Sequence, residues 1–260
     1  MVVKRSRKTI SPTTTVRRDL RLPFIEGLSP SEREAILNAA TPRRLPAKSV
    51  VVEQGRPANH LFLLTIGRAR HFFTTETGEK LLLNWLAPGD IFGAYAGLAT
   101  HLPSPFGVET VKDCNALAWD RATVRRLVTQ YPRLLDNGLL IAASYLTWFL
   151  AAHEALICHP AQQRLAQVLV GLAKGIGQRV SGGFELEVTN EELAHSANVT
   201  PFTVSRLMSD WQRQGAVVKA RGKVVLRSPE RLFISRSLGA VTKSGMYTNR
   251  YTTSLGSALP

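Results

Sequence analysis

Residues 189–214, TNEELAHSANVTPFTVSRLMSDWQRQ, leave little freedom in how they fold. Thr189 and Glu192 stand at the T-x-x-E spacing of a capping box, which opens a short helix. Ala194 falls where two helices must pass closely and a larger side chain would not fit. Asn198-Val199-Thr200 supplies the sharp turn, because Asn is one of the few residues besides Gly that tolerates a left-handed backbone. Thr200 then caps a second helix, and Pro201 takes its first position, where a missing N–H costs nothing. Val204, Leu207, Met208 and Trp211 recur at helical spacing and predict one buried face. Phe202, Arg206, Ser209 and Arg213 make the opposite stripe, with Thr203 and Ser205 on its flanks. Such a helix is shaped to lie in a groove.

Gly215 is expected to close that helix. Beyond it, Val217-Val218-Lys219 and Val224-Val225-Leu226 flank a turn at residues 220–223 and predict a β-hairpin. Its tip carries Lys219, Arg221 and Lys223, where a wing would meet phosphates. Two capped helices, a tight turn and a basic hairpin together point to double-stranded DNA as a partner. The residues expected at the DNA are Thr189, Thr200, Phe202, Thr203, Ser205, Arg206, Ser209, Lys219, Arg221 and Lys223.

The net charge is +14, but its placement matters more than its size. Residues 1–18 hold six basic residues and no acid, and residues 236–260 hold three and no acid, so nine of those charges lie in the tails. Both tails are rich in Ser, Thr and Gly without hydrophobic periodicity, which predicts disorder. They would add a sequence-independent, salt-sensitive attraction to DNA. Cys114 and Cys158 are the only cysteines, too few for a disulfide scaffold, and with no secretory signal this predicts a cytoplasmic protein. The stretch 137–153 has no Asp, Glu, Lys or Arg but barely reaches spanning length, so a long helix buried on two faces is expected rather than a membrane partner. No P-loop, G-x-S-x-G, H-E-x-x-H or Ser-His-Asp set stands in a credible frame, so neither a catalytic nor a metal site is expected.

Upstream, residues 45–131 read as an all-β unit. Short apolar runs at 50–52, 61–66, 69–74, 81–86 and 116–119 are punctuated by Gly55, Gly67, Gly78 and Pro88-Gly89-Asp90. Helices are expected at 30–40, opened by Ser29 or Ser31, and at 121–129. A long helix follows at about 134–157. Leu135, Leu139, Ala142, Leu146, Phe149, His153 and Leu156 repeat in steps of three and four, the seam of a coiled coil. Ile141, Tyr145 and Trp148 give a second stripe that could pack on the β unit, while the seam would join a second copy into a homodimer. Pro160 breaks the chain, and residues 162–173 begin the helix that leads into the capped pair.

An N-terminal β-roll, a long helix and a C-terminal winged helix-turn-helix resemble the Crp–Fnr superfamily of bacterial transcription regulators. The likeness spans residues 20–232 and rests on Pro23–Leu28, Gly67, Pro88-Gly89-Asp90-Ile91-Phe92-Gly93 and the TVSRLM run of the second capped helix. It implies an α+β chain: a double-stranded, jelly-roll-like β-roll sensor over 19–132, a dimerisation helix at 133–158 and a winged helix-turn-helix at 159–235. The tails, 1–18 and 236–260, fall outside these units. It also implies a dimer that reads a palindrome with half-sites one helical turn apart, and RNA polymerase as a partner.

Members that bind cyclic nucleotides carry Gly-Glu-Leu after the Gly-Asp, and Arg-Ser or Arg-Thr about ten residues on. Here the first stretch is Gly93-Ala94-Tyr95, and residues 102–110 contain no Arg. An anion buried without a cation loses its pairing energy, so cyclic nucleotide is not expected to bind. Gly93, Ala94, Tyr95, Phe106, Glu109 and Thr110 are the expected remnants of that pocket. Iron–sulfur ligation is excluded by ligand count, since residues 1–113 lack cysteine. No cofactor is expected; haem is the alternative, with His60, His71, His101, His153 and His159 as candidate ligands and no spacing that singles one out. The roll would then sense another metabolite, report redox through Cys114, or be permanently switched on. A regulatory or scaffolding protein without a DNA role is the competing class, against which the intact caps and Arg206 argue. In the resemblance, Arg206 matches a guanine-reading Arg, whereas Phe202 replaces an acidic residue that accepts from cytosine and could instead pack on a thymine methyl.

Overall fold

The computed structural model describes residues 20–94 and 102–233. Tyr95, His101 and both basic tails lie outside the described residues. A 3-10 turn, Pro23–Ile25, leads into helix α1, Pro30–Asn38. Ser29 caps α1 in a reciprocal capping box with Glu32, which decides between the two candidate serines.

Eight antiparallel strands follow: β1 Thr41–Leu45, β2 Val50–Val52, β3 His60–Ile66, β4 Ala69–Thr74, β5 Lys80–Leu86, β6 Ile91–Phe92, β7 Gly107–Thr110 and β8 Cys114–Asp120. They form two four-stranded sheets, ordered β1-β8-β3-β6 and β2-β7-β4-β5. Between them lies one core, with Phe62, Leu64, Phe92, Ala116 and Ala118 from the first sheet meeting Val52, Ala69, Leu86 and Val108 from the second. Phe62 and Phe92 stack at 4.9 Å. The other face of β3 and β8 is covered too. Leu61, Leu63, Leu117 and Trp119 pack on Phe24, Ile36, Leu127 and Leu134. Burial on both faces explains why Leu61–Leu64 of β3 is apolar at four successive positions instead of alternating.

Three strands of the roll escape a sequence reading: β1, β7 and the two-residue β6. β1, TPRRL, is an edge strand whose side chains are largely exposed, so it has no apolar alternation to find. β7 lies in the segment that holds the expected pocket remnants, yet all four of its residues are buried. At the turn after β3, Gly67 has φ of +101°, and a Cβ there would meet the Asp113 carbonyl oxygen at 2.6 Å. Only glycine fits that position.

Helix α2, Arg121–Gln130, is capped by Asp120. Helix α3, Arg133–Cys158, is the long helix, and α4, Ala161–Gly175, follows the break at Pro160. One side of α3 packs on the roll through Leu134, Asn137, Ile141 and Tyr145. Buried Asn137 donates to the carbonyls of Phe24 and Glu26, both at 2.9 Å, and so pins the entry turn to the helix. Trp148 departs from the expected second stripe: it is 44% exposed and rests on Phe149 instead of the roll. Leu135, Leu139, Leu146, Leu150 and Leu156 all face outward.

The C-terminal unit contains β9 Gln178–Val180, β10 Gly183–Leu186, α5 Asn190–Ala197, α6 Pro201–Arg213, β11 Val217–Ala220, β12 Lys223–Leu226 and a 3-10 turn, Pro229–Phe233. Its sheet has the order β11-β12-β10-β9. The expected hairpin is therefore half of a larger sheet. The first half was hidden because β9 is wholly exposed and β10, GFEL, has one fully buried side chain and no apolar run.

Candidate nucleic-acid interface

Thr189 accepts from the Glu192 N–H while the Glu192 carboxylate accepts from the Thr189 N–H at 2.8 Å, completing the capping box of α5. Ala194 is fully buried where α5 meets α6. Asn198 adopts φ 48° and ψ 58°, the left-handed conformation that turns the chain into α6. The Thr200 side chain accepts from the Thr203 N–H at 3.1 Å and its hydroxyl lies 2.9 Å from that of Thr203. Val204, Leu207, Met208 and Trp211 are buried with Leu165, Leu169 and Leu193 of α4 and α5. The Trp211 indole N–H donates to the Leu232 carbonyl, tying α6 to the last turn.

One buttress was missed. Arg164 of α4 donates to the carbonyls of His159, Ala197 and Asn198 at 2.9–3.0 Å. It satisfies acceptors that the end of α5 and the turn would otherwise leave open. Its partners lie 5, 33 and 34 positions away, and only the nearest is within its own helical neighbourhood.

The outward face of α6 presents Phe202, 78% exposed, together with Arg206. Thr203, Ser205 and Ser209 are half-buried beside it. The Ser209 hydroxyl donates back to the Ser205 carbonyl at 2.8 Å, and Lys219 of the hairpin reaches it at 3.4 Å. Arg213 pairs with Asp210 on its own helix. At the hairpin tip Arg221 is exposed, but Lys223 is not a free phosphate ligand. It bonds Glu185 at 2.8 Å and lies 3.8 Å from Glu187. Glu185 of β10 pairs with Val225, so Lys223, two residues along β12, lies on the same face of the sheet, diagonal to Glu185.

Among the described residues, those expected to be remnants of an effector pocket have structural partners. Gly93 has φ of +74° and lies against the His60 carbonyl, where a Cβ would approach to 2.3 Å. Ala94 is exposed, and Phe106 meets the His71 ring edge-on at 4.7 Å. Glu109 binds Arg70 at 2.5 Å and Lys80 at 2.8 Å, and those cations hold its carboxyl low although burial alone would raise it. The Thr110 hydroxyl bonds the Pro46 carbonyl oxygen and accepts from the Ser49 N–H. Both residues secure strands.

Inside the roll, burial pushes the His71 pKa down to about 4, with only a hydrogen bond to Asn84 opposing it. Tyr145 of α3 meets the same ring at 6.0 Å. Burial likewise raises the Cys114 thiol, which donates to backbone carbonyls; this is the setting of an inert cysteine, not of a redox sensor. Among the described residues no group of three or more His, Cys, Asp and Glu is placed to hold a metal ion.

Two family models match the chain: a cyclic nucleotide-binding domain over residues 42–131 and a Crp-like helix-turn-helix domain over residues 163–233. The chain belongs to the Crp–Fnr superfamily. A CRP-like cAMP-activated global transcriptional regulator of Mycobacterium tuberculosis is 24% identical, covering 82% of this chain and 95% of that protein. The cyclic AMP receptor protein of Thermus thermophilus is 28% identical, covering 79% and 92%. The fold matches that of the c-di-GMP responsive global regulator CLP of Xanthomonas campestris with a TM-score of 0.65 at 19% identity, covering 76% of this chain and 99% of that one.

Proposed function

We propose that this Crp–Fnr protein is a homodimeric, sequence-specific transcription regulator acting on double-stranded DNA in the cytoplasm, with no catalytic activity. The observation that carries the reading is α6, capped at its start, buried along one face, and offering Phe202 and Arg206 on the other. Arg206 reads a guanine through O6 and N7, and Phe202 packs on a thymine methyl. Thr200, Thr203, Ser205 and Ser209 fix register against phosphates, with Thr189, Lys219, Arg221 and Lys223 at the margins. Lys223 must leave Glu185 to do so.

The homodimer reading rests on α3. By length and composition α3 could cross a membrane. One side is committed to the roll, however, and the seam residues Leu139 and Leu146 on the other are 62% and 61% exposed, with Leu150 beside them at 62%. A second copy of the same helix buries that seam. By family membership the dimer reads a palindrome and meets RNA polymerase.

The effector differs from cyclic nucleotide. Residues 93–110 contain no Lys or Arg to pair with a cyclic phosphate, and the nearby cations Arg70 and Lys80 already hold Glu109. Calorimetry with cyclic AMP and cyclic GMP tests this, the expected result being no heat of binding and the contrary one micromolar affinity. Footprinting on genomic promoter fragments tests the regulator reading, with protected palindromes expected.

A further inference from the structure

Two turns at one end of the roll make a rigid platform facing the DNA-binding unit. Arg68 lies in the β3–β4 turn and Lys112 in the β7–β8 turn, and the Val111 N–H donates to the Arg68 carbonyl at 2.8 Å. Gly67 leaves no gap between the turns, because any Cβ there would strike Asp113 and Cys114. From this platform Arg68 donates to the backbone carbonyl of Glu187, and Lys112 pairs with the Glu187 carboxylate. Glu187 sits in the short link between β10 and the Thr189 cap of α5. The Arg68 guanidinium also covers the Trp85 ring at 4.7 Å, and Trp85 of β5 packs against the core of the DNA-binding unit. Burial lowers the Arg68 pKa, and the Glu192 carboxylate at the start of α5 opposes that.

We propose that Arg68, Trp85 and Lys112, closing on Glu187, form a latch that sets the angle of the helix-turn-helix against the long helix. The inference rests on the DNA-reading proposal above. Besides the covalent join at His159-Pro160, this contact ties the two units together. A dimer reads two half-sites only if both copies of α6 hold one orientation relative to α3, and a latch that fixes that angle beforehand spares the cost of ordering it on DNA. The latch is also made to open. The Arg68 Nε and the Trp85 indole nitrogen are buried within it without a hydrogen-bond partner, a penalty the released state does not carry.

Glu187→Gln, Lys112→Gln and the double variant test the latch. Removing the acid from the DNA-binding unit strengthens attraction to any duplex by simple electrostatics. The latch predicts the opposite for a duplex recovered by site selection: each variant binds it on the order of fivefold more weakly. The double variant is no worse than either single, and Glu187→Gln binds a random-sequence duplex at least as well as wild type. A second readout needs no DNA: amide exchange in α5 speeds up in all three variants while α6 core amides keep their protection. If Glu187→Gln tightens both duplexes alike and exchange in α5 is unchanged, the latch is wrong. If wild type binds no duplex, the DNA reading fails, and the exchange measurement alone decides whether the latch exists.

Discussion

Tyr145 on the long helix meets the His71 ring edge-on at 6.0 Å inside the roll. The helix and the sensor sheet are thereby joined by a buried aromatic contact next to the Asn84 hydrogen bond. Because His71 is held neutral, this contact carries a pH dependence of definite sign. Its folded pKa of about 4 lies below the unfolded value of 6.5. The unfolded chain therefore binds the extra proton between those values. Stability from the neutral ring is complete above about pH 6.5 and is lost as pH falls toward 4, by on the order of 3 kcal/mol. Thermal melts of wild type and His71→Asn across that window check it. The variant's melting temperature should fall less steeply on acidification, and parallel curves would contradict the account.

Arg206→Ala should weaken binding to the selected site by about 1–3 kcal/mol and relax preference at one base pair. Competition titrations against duplexes varied at each position measure both effects. A uniform loss at every position would make Arg206 a phosphate contact instead.

Leu146→Lys places a charge in the exposed seam of α3, far from the roll-facing side. Sedimentation should show a monomer with an unchanged circular dichroism spectrum. A dimer that persists would move the interface elsewhere.

Asn198→Val forces a β-branched residue into φ 48° and should cost about 1–2 kcal/mol or more. Asn198→Gly should stay near wild type, because glycine adopts that backbone freely. Urea denaturation followed by circular dichroism separates the two; equal losses would mean that the Asn side chain, not the backbone, matters.

Much of the DNA-binding unit was legible because its signals are local. Caps, a left-handed Asn and a buried stripe on α6 are each fixed by residues within one or two turns. The contacts that escaped, a buttress at Arg164 and the acidic partner of Lys223, act over long range. Arg164 reaches Asn198 across 34 positions, and Lys223 meets Glu185 across 38, so nothing near either residue reveals the partner. The same holds in the roll. β3 was plain as an apolar run, whereas β1 and β7 draw their strand character from β8 and β4, far away in the chain. Trp148 was misplaced because periodicity gives a face but not how far the roll extends along the helix.

The central claim is that two copies of α6 read DNA as a pair. Selection of binding sites from a random duplex pool, with purified protein and no added ligand, tests it most directly. The account predicts a palindrome whose half-site centres lie about ten base pairs apart, with a guanine opposite Arg206 and a thymine opposite Phe202 in each half. Enrichment of a single asymmetric element, or no enrichment from folded dimer, would contradict it.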